Sequence, residues 1–185
     1  RTPLLALGGV AALLALALAG VSYLHFREAA PAADVVRFQV SLPESVNFTQ
    51  WGASAISPDG RKIVFAAYGY DGEPRLWLRT LDSPIAKPLE DARINQQTAA
   101  LFWSPDSRFV AYGNSKQLRK IDINGGPSQA LVEIAPAIGG SWSPDGTILV
   151  GSEKGVMKTT ANGGALTPVT KPANAQEAHA YPALL

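Results

Sequence analysis

Trp142-Ser143-Pro144-Asp145-Gly146-Thr147-Ile148-Leu149-Val150-Gly151 is the stretch on which the fold turns. Proline presets φ at the second position of a tight turn. The aspartate next to it accepts hydrogen bonds from nearby backbone N–H groups and closes that turn. Gly146 supplies the positive φ at which the chain reverses. A bulky residue before Ser-Pro-Asp ends one strand, and the apolar run after it begins the next. The stretch therefore predicts a β-hairpin.

Two further copies align with it without a gap. They are Ile56-Ser57-Pro58-Asp59-Gly60-Arg61-Lys62-Ile63-Val64-Phe65-Ala66 and Trp103-Ser104-Pro105-Asp106-Ser107-Arg108-Phe109-Val110-Ala111-Tyr112. The aspartates stand at 59, 106 and 145, spacings of 47 and 39 residues. A four-stranded propeller blade occupies about 40–45 residues. In the second copy Ser107 replaces glycine, which predicts a looser turn or one of another type.

The rest of each copy repeats as well. After the first come Arg75–Leu81, with Leu76, Leu78 and Thr80 alternating against Trp77, Arg79 and Leu81, and a short Lys87-Pro88-Leu89 strand. After the second come Leu118–Ile123, the turn Asn124-Gly125-Gly126 and Gln129–Val132. After the third come Val156–Thr160, the turn Asn162-Gly163-Gly164 and Leu166–Thr170. Asn-Gly between alternating runs is a strong hairpin signal. The predicted class is all-β: a partial propeller of four-stranded antiparallel blades, about three and a stub, after one transmembrane helix. The predicted divisions are 1–26 for the membrane helix and its flanks, 27–35 for a linker, and 36–185 for the propeller. Within the propeller, blades fall at about 36–92, 93–134 and 135–172, with the stub at 173–185.

This Trp-Ser-Pro-Asp-Gly hairpin followed by apolar residues resembles the WD-like propeller repeat of the TolB-type family, over about residues 36–185. Such repeats occur in periplasmic translocation proteins, peptidase gating domains and receptor-like kinases, so the resemblance speaks to fold and little to activity.

The composition agrees with many short strands. The chain has 185 residues with 17 Gly and 14 Pro. A net charge of +1 offers no basic face for nucleic acid, and the lack of cysteine excludes disulfides and thiolate metal sites in this segment.

Leu4 to Leu24 carries no charged residue. At about 1.5 Å per residue this run reaches roughly 31 Å, close to the hydrocarbon core of a bilayer. In lipid it must be helical to satisfy its backbone. Membrane lipid is thus the expected partner of residues 4–24. Ala11, Ala15 and Ala19 form a small-residue stripe that suits a helix dimer. The competing reading is a signal peptide cleaved after Ala17-Leu18-Ala19, with Gly20 as the mature N-terminus. Residues 27–35 have tether composition. Phe38, Val40 and Leu42 alternate as a half-buried strand, which is expected to complete the last blade and clasp the ring.

The order of apolar span, tether, Phe38–Pro43 and Ser-Pro-Asp repeats resembles the C-terminal half of bacterial receptor-type serine/threonine kinases. Leu76–Asp82, Gly139–Gly146 and Glu177–Leu185 fit that group. The resemblance implies a cytoplasmic kinase domain before Arg1, a single inner-membrane span, and a propeller outside it, periplasmic or extracellular. ATP and Mg would belong to that parent domain. No cofactor is expected in this segment, because the chain has no Gly-rich phosphate loop, His-Arg-Asp or Asp-Phe-Gly motif. It also implies that Glu177–Leu185 leads into a further hairpin. The alternatives are a secreted TolB-like binding propeller, and the gating propeller of a prolyl-oligopeptidase-type serine hydrolase.

No catalytic or metal residues are predicted. Pro58, Asp59, Gly60, Pro105, Asp106, Pro144, Asp145 and Gly146 are read as structural turn residues, since they recur on separate blades. Tyr68 and Tyr70, in a glycine-rich loop, are the candidate ligand rim. The ligand class left open is protein, peptide or glycan.

Overall fold

The computed structural model describes residues 13–23, 47–49, 53–95, 100–174 and 178–183. The chain divides into two compact units, Arg1–Gln39 and Val40–Leu185. In the first, residues 13–23 are helical. Among the described residues no helix is long and apolar enough to cross a membrane. The remainder of the 4–24 run, and the strand expected at Phe38–Leu42, lie outside the described residues.

The second unit holds twelve strands in three sheets of four among the described residues. The first sheet comprises β1 (Ser54–Ile56), β2 (Lys62–Tyr68), β3 (Pro74–Thr80) and β4 (Ala86–Arg93). The second comprises β5 (Leu101–Trp103), β6 (Phe109–Gly113), β7 (Gln117–Asp122) and β8 (Gln129–Glu133). The third comprises β9 (Ile138–Trp142), β10 (Thr147–Gly151), β11 (Met157–Thr160) and β12 (Thr167–Pro168). Each is an antiparallel meander in chain order.

Sheet stacking explains why the middle strands read as near-continuous apolar runs. Leu76 and Trp77 are adjacent on β3, point to opposite faces, and are both buried. Leu76 joins Val64, Ala66, Leu89, Trp103, Val110, Tyr112 and Ile121 in a core between the first and second sheets. Trp77 packs with Ile63, Phe65, Ala67 and Ala86 on the first sheet's other face. A second inter-sheet core unites Ala111, Leu118 and Leu131 with Ile148 and Val150. Full burial of one such side chain contributes about 1.5–3 kcal/mol, so each sheet is held mainly by its neighbours.

Strand β4 runs Ala86–Arg93, well beyond the expected Lys87–Leu89. Its ladder to β3 shifts register between Arg75 and Trp77, which allows it to continue. Lys87, Pro88, Glu90, Asp91 and Arg93 mark this outermost strand, a composition that discourages pairing with another chain.

The gapless repeat alignment requires a correction. Ile56 pairs with Ile63 and Trp103 with Val110, but Trp142 pairs with Ile148. The third hairpin is one residue shorter. Ser57 and Ser104 each donate their N–H to the carbonyl five residues on, at 2.9 Å, whereas Ser143 donates to Thr147, four residues on, at 2.8 Å.

Candidate binding surfaces on the two rims of the blades

Antiparallel order within each blade sorts the loops into two rims. The β1–β2 and β3–β4 connections, and their counterparts, lie at one end. The β2–β3 connections and the crossings between blades lie at the other. All three Ser-Pro-Asp turns thus share a rim with the Asn-Gly turns, and Tyr68 and Tyr70 belong to the opposite rim.

The turns have one construction. Gly60, Ser107 and Gly146 donate their N–H to the carbonyls of Ser57, Ser104 and Ser143 at 2.8, 3.0 and 2.9 Å. Asp59 Oδ1 accepts the Ser57 hydroxyl at 2.5 Å and the Arg61 N–H at 3.0 Å, while Lys62 N donates to Ser57 Oγ at 2.9 Å. Lys62 Nζ pairs with Asp59 Oδ2 at 2.9 Å. These bonds hold the Asp59 carboxyl well below the usual carboxylate range, the Ser57 hydroxyl first and then Lys62. In the second turn Asp106 accepts the Ser104 hydroxyl at 2.5 Å and the Arg108 N–H at 3.2 Å. In the third, Thr147 gives both its N–H (2.8 Å) and its hydroxyl (3.1 Å) to Asp145, whose carboxyl is lowered chiefly by that N–H. Pro58 and Pro144 are exposed and Pro105 is half-buried.

Ser107 departs from expectation. Its turn is of the same kind as the other two, with φ at +57°. A side chain at positive φ is strained, and here the side chain compensates: Ser107 Oγ accepts the backbone N–H of Asp59 at 3.1 Å and clasps two blades. Trp103 forms a second clasp, its Nε1 donating to Ala55 O at 3.0 Å.

Among the described residues, the boundary between the second and third blades has neither clasp. Gly146 stands at the Ser107 position. Trp142 stacks on Phe109, with centroids 6.3 Å apart and planes at 30°. Lys120 Nζ lies 5.3 Å from the Phe109 centroid and donates to Ala161 O at 2.7 Å. A groove of about 590 Å³ opens here, lined by Pro105, Asp106, Phe109, Lys120, Trp142 and Pro144 among others. The signal in the sequence is Phe109 at the ladder position that Lys62 holds in the first blade.

On the opposite rim, Tyr70 is 71% exposed and meets buried Trp77 edge-on at 6.0 Å. Tyr68 is half-buried, and its N–H donates to Asn47 O at 2.9 Å. Buried Arg75 anchors the loop between them by ion pairs to Asp71 and Glu90. A Cβ on Gly69 would lie 2.6 Å from Asp71 Oδ1 and 2.9 Å from Arg75 Nε, so a side chain there would have to displace the Asp71–Arg75 pair. Among the described residues no three His, Cys, Asp or Glu are grouped to hold a metal.

The three sheets pack face to face, with their inner strands β1, β5 and β9 side by side. The fold is that of β-propeller blades, three of them among the described residues. TolB from Acinetobacter baumannii superposes with a TM-score of 0.52 at 22% identity, covering 65% of this chain and 32% of that one. Oligogalacturonate lyase from Vibrio parahaemolyticus gives 0.51 at 17% identity, covering 70% of this chain and 42% of its own. The chain thus spans less than half the length of either structure. No protein-family model matches the chain, and no curated protein matches it.

Proposed function

We propose that this chain is a binding propeller held at a bacterial inner membrane by residues 4–24, and that it serves as the exported sensor of a receptor-type serine/threonine kinase. The observation that carries the binding role is Tyr70. Its ring stands in solvent yet rests against Trp77, on a loop pinned by Arg75, so it is an aromatic contact presented with little conformational entropy left to lose. The propeller fold supports a module that works through its rims. The anchor and the kinase parent rest on the order of apolar run, tether and repeats, and the helical residues 13–23 support the anchor.

A photo-crosslinking amino acid at position 70, in living cells, is expected to yield a discrete partner adduct. The same group at exposed Ile85, on the opposite rim, is expected to yield none. Equal labelling from both positions, or none from 70, overturns the rim assignment. Carbonate extraction tests the anchor separately: the protein stays in the pellet and is released on deletion of 4–24. A mature N-terminus at Gly20 would make the span a cleaved signal instead.

A further inference from the structure

We propose that the groove between the second and third blades is a docking site for an extended proline-containing peptide that carries a basic residue. The site lies on the Ser-Pro-Asp rim and does not depend on the Tyr70 assignment.

Four observations converge. The floor is aromatic, Phe109 against Trp142, and is flanked by Pro105 and Pro144. Polyproline II segments are preformed and dock in aromatic-lined grooves. Trp142 Nε1, unlike Trp103 Nε1, donates to no protein acceptor among the described residues, so it is available to a peptide carbonyl. The charge is also arranged. Asp59 is neutralised by Lys62, but Phe109 occupies the Lys62 position in the second blade and leaves Asp106 without an ion pair among the described residues. Of the nearby cations, Arg108 is paired with Asp122 at 2.8 Å, while Lys120 keeps its charge but is directed to the Ala161 carbonyl and the Phe109 ring and not to Asp106. A single substitution thus creates the aromatic floor and frees a carboxylate beside it. Because neither clasp of the preceding boundary is present, the groove stays open.

The probe is a fluorescein-labelled decapeptide rich in proline with one arginine, titrated into the full chain and followed by fluorescence polarisation. Saturable binding is expected. It should weaken at least tenfold in Trp142→Ala, in Phe109→Lys, and when the peptide arginine becomes glutamate. Phe109→Lys copies the first blade, so its fold has a precedent in the same chain. Independently of any variant, the Trp142 indole N–H resonance of the wild type should shift on peptide addition. No saturable binding at millimolar peptide overturns the proposal. So does binding that both variants and the charge reversal leave unchanged, or an indole shift produced by a neutral oligosaccharide and not by the peptide.

Discussion

Ser107 Oγ accepts the backbone N–H of Asp59 at 3.1 Å, which ties the turn of one blade to the turn of the next. The same residue holds φ at +57°. Two effects therefore oppose each other at one position. Ser107→Ala keeps the strain and removes the acceptor, and should cost about 1–2 kcal/mol in urea denaturation. Ser107→Gly removes both, and should cost less than Ser107→Ala by roughly 1 kcal/mol. Equal costs for the two would show that the positive φ carries no strain, and no cost for Ser107→Ala would show that the clasp carries no energy.

The two tryptophans that precede Ser-Pro-Asp should respond unequally. Trp103 is 6% exposed and donates to Ala55 O, so Trp103→Ala should cost about 3–5 kcal/mol. Trp142 is half-buried and has no such bond. Trp142→Ala should cost under about 2 kcal/mol by the same measurement. A reversed order would mean that the second inter-blade core carries more of the stability than the first.

The repeat, the hairpins and the all-β class were legible because Ser-Pro-Asp and Asn-Gly act locally, through φ and short hydrogen bonds. What was not legible depends on neighbours. Ser107 reads as a poor turn residue until its partner on another blade is seen. Trp103 and Trp142 look equivalent in sequence, yet one is clamped and the other faces a groove. Ile56, at the same position again, is 56% exposed. The end of β4 was missed because its charged, proline-containing sequence reflects an edge rather than a turn.

The turn aspartates predict a definite acid response. Asp59 and Asp145 both titrate below their usual range, through the Ser57 hydroxyl and the Thr147 N–H respectively. A carboxyl whose folded value is depressed adds stability above its unfolded value, about 3.9, and that stability is lost as pH falls towards the folded value. Melting temperature should therefore drop between about pH 4 and pH 2. Asp59→Asn combined with Asp145→Asn should start lower at neutral pH and fall less. Parallel curves would mean that other groups govern the acid limb.

Gly151 holds the returning segment against the third blade. A Cβ there would lie 2.4 Å from Ile138 O and 2.6 Å from His179 O. Ser152 N donates to His179 O at 3.1 Å and Tyr181 N to Ile138 O at 3.2 Å. Gly151→Ala should release residues 178–183, seen as faster hydrogen exchange at the Tyr181 amide with β6 and β7 unaffected. Unchanged protection at Tyr181 would show that the segment is held elsewhere.

The third hairpin closes one residue sooner than the first two, with Thr147 meeting the aspartate and opening the ladder at once, tasks divided between Arg61 and Lys62 in the first blade. One chain therefore contains the same turn in two lengths, each feeding a full ladder. The ladder can therefore follow the glycine with or without one extra residue. Blades of this kind can drift in length there while their faces stay in register, and blade grafts should be joined elsewhere than at that point.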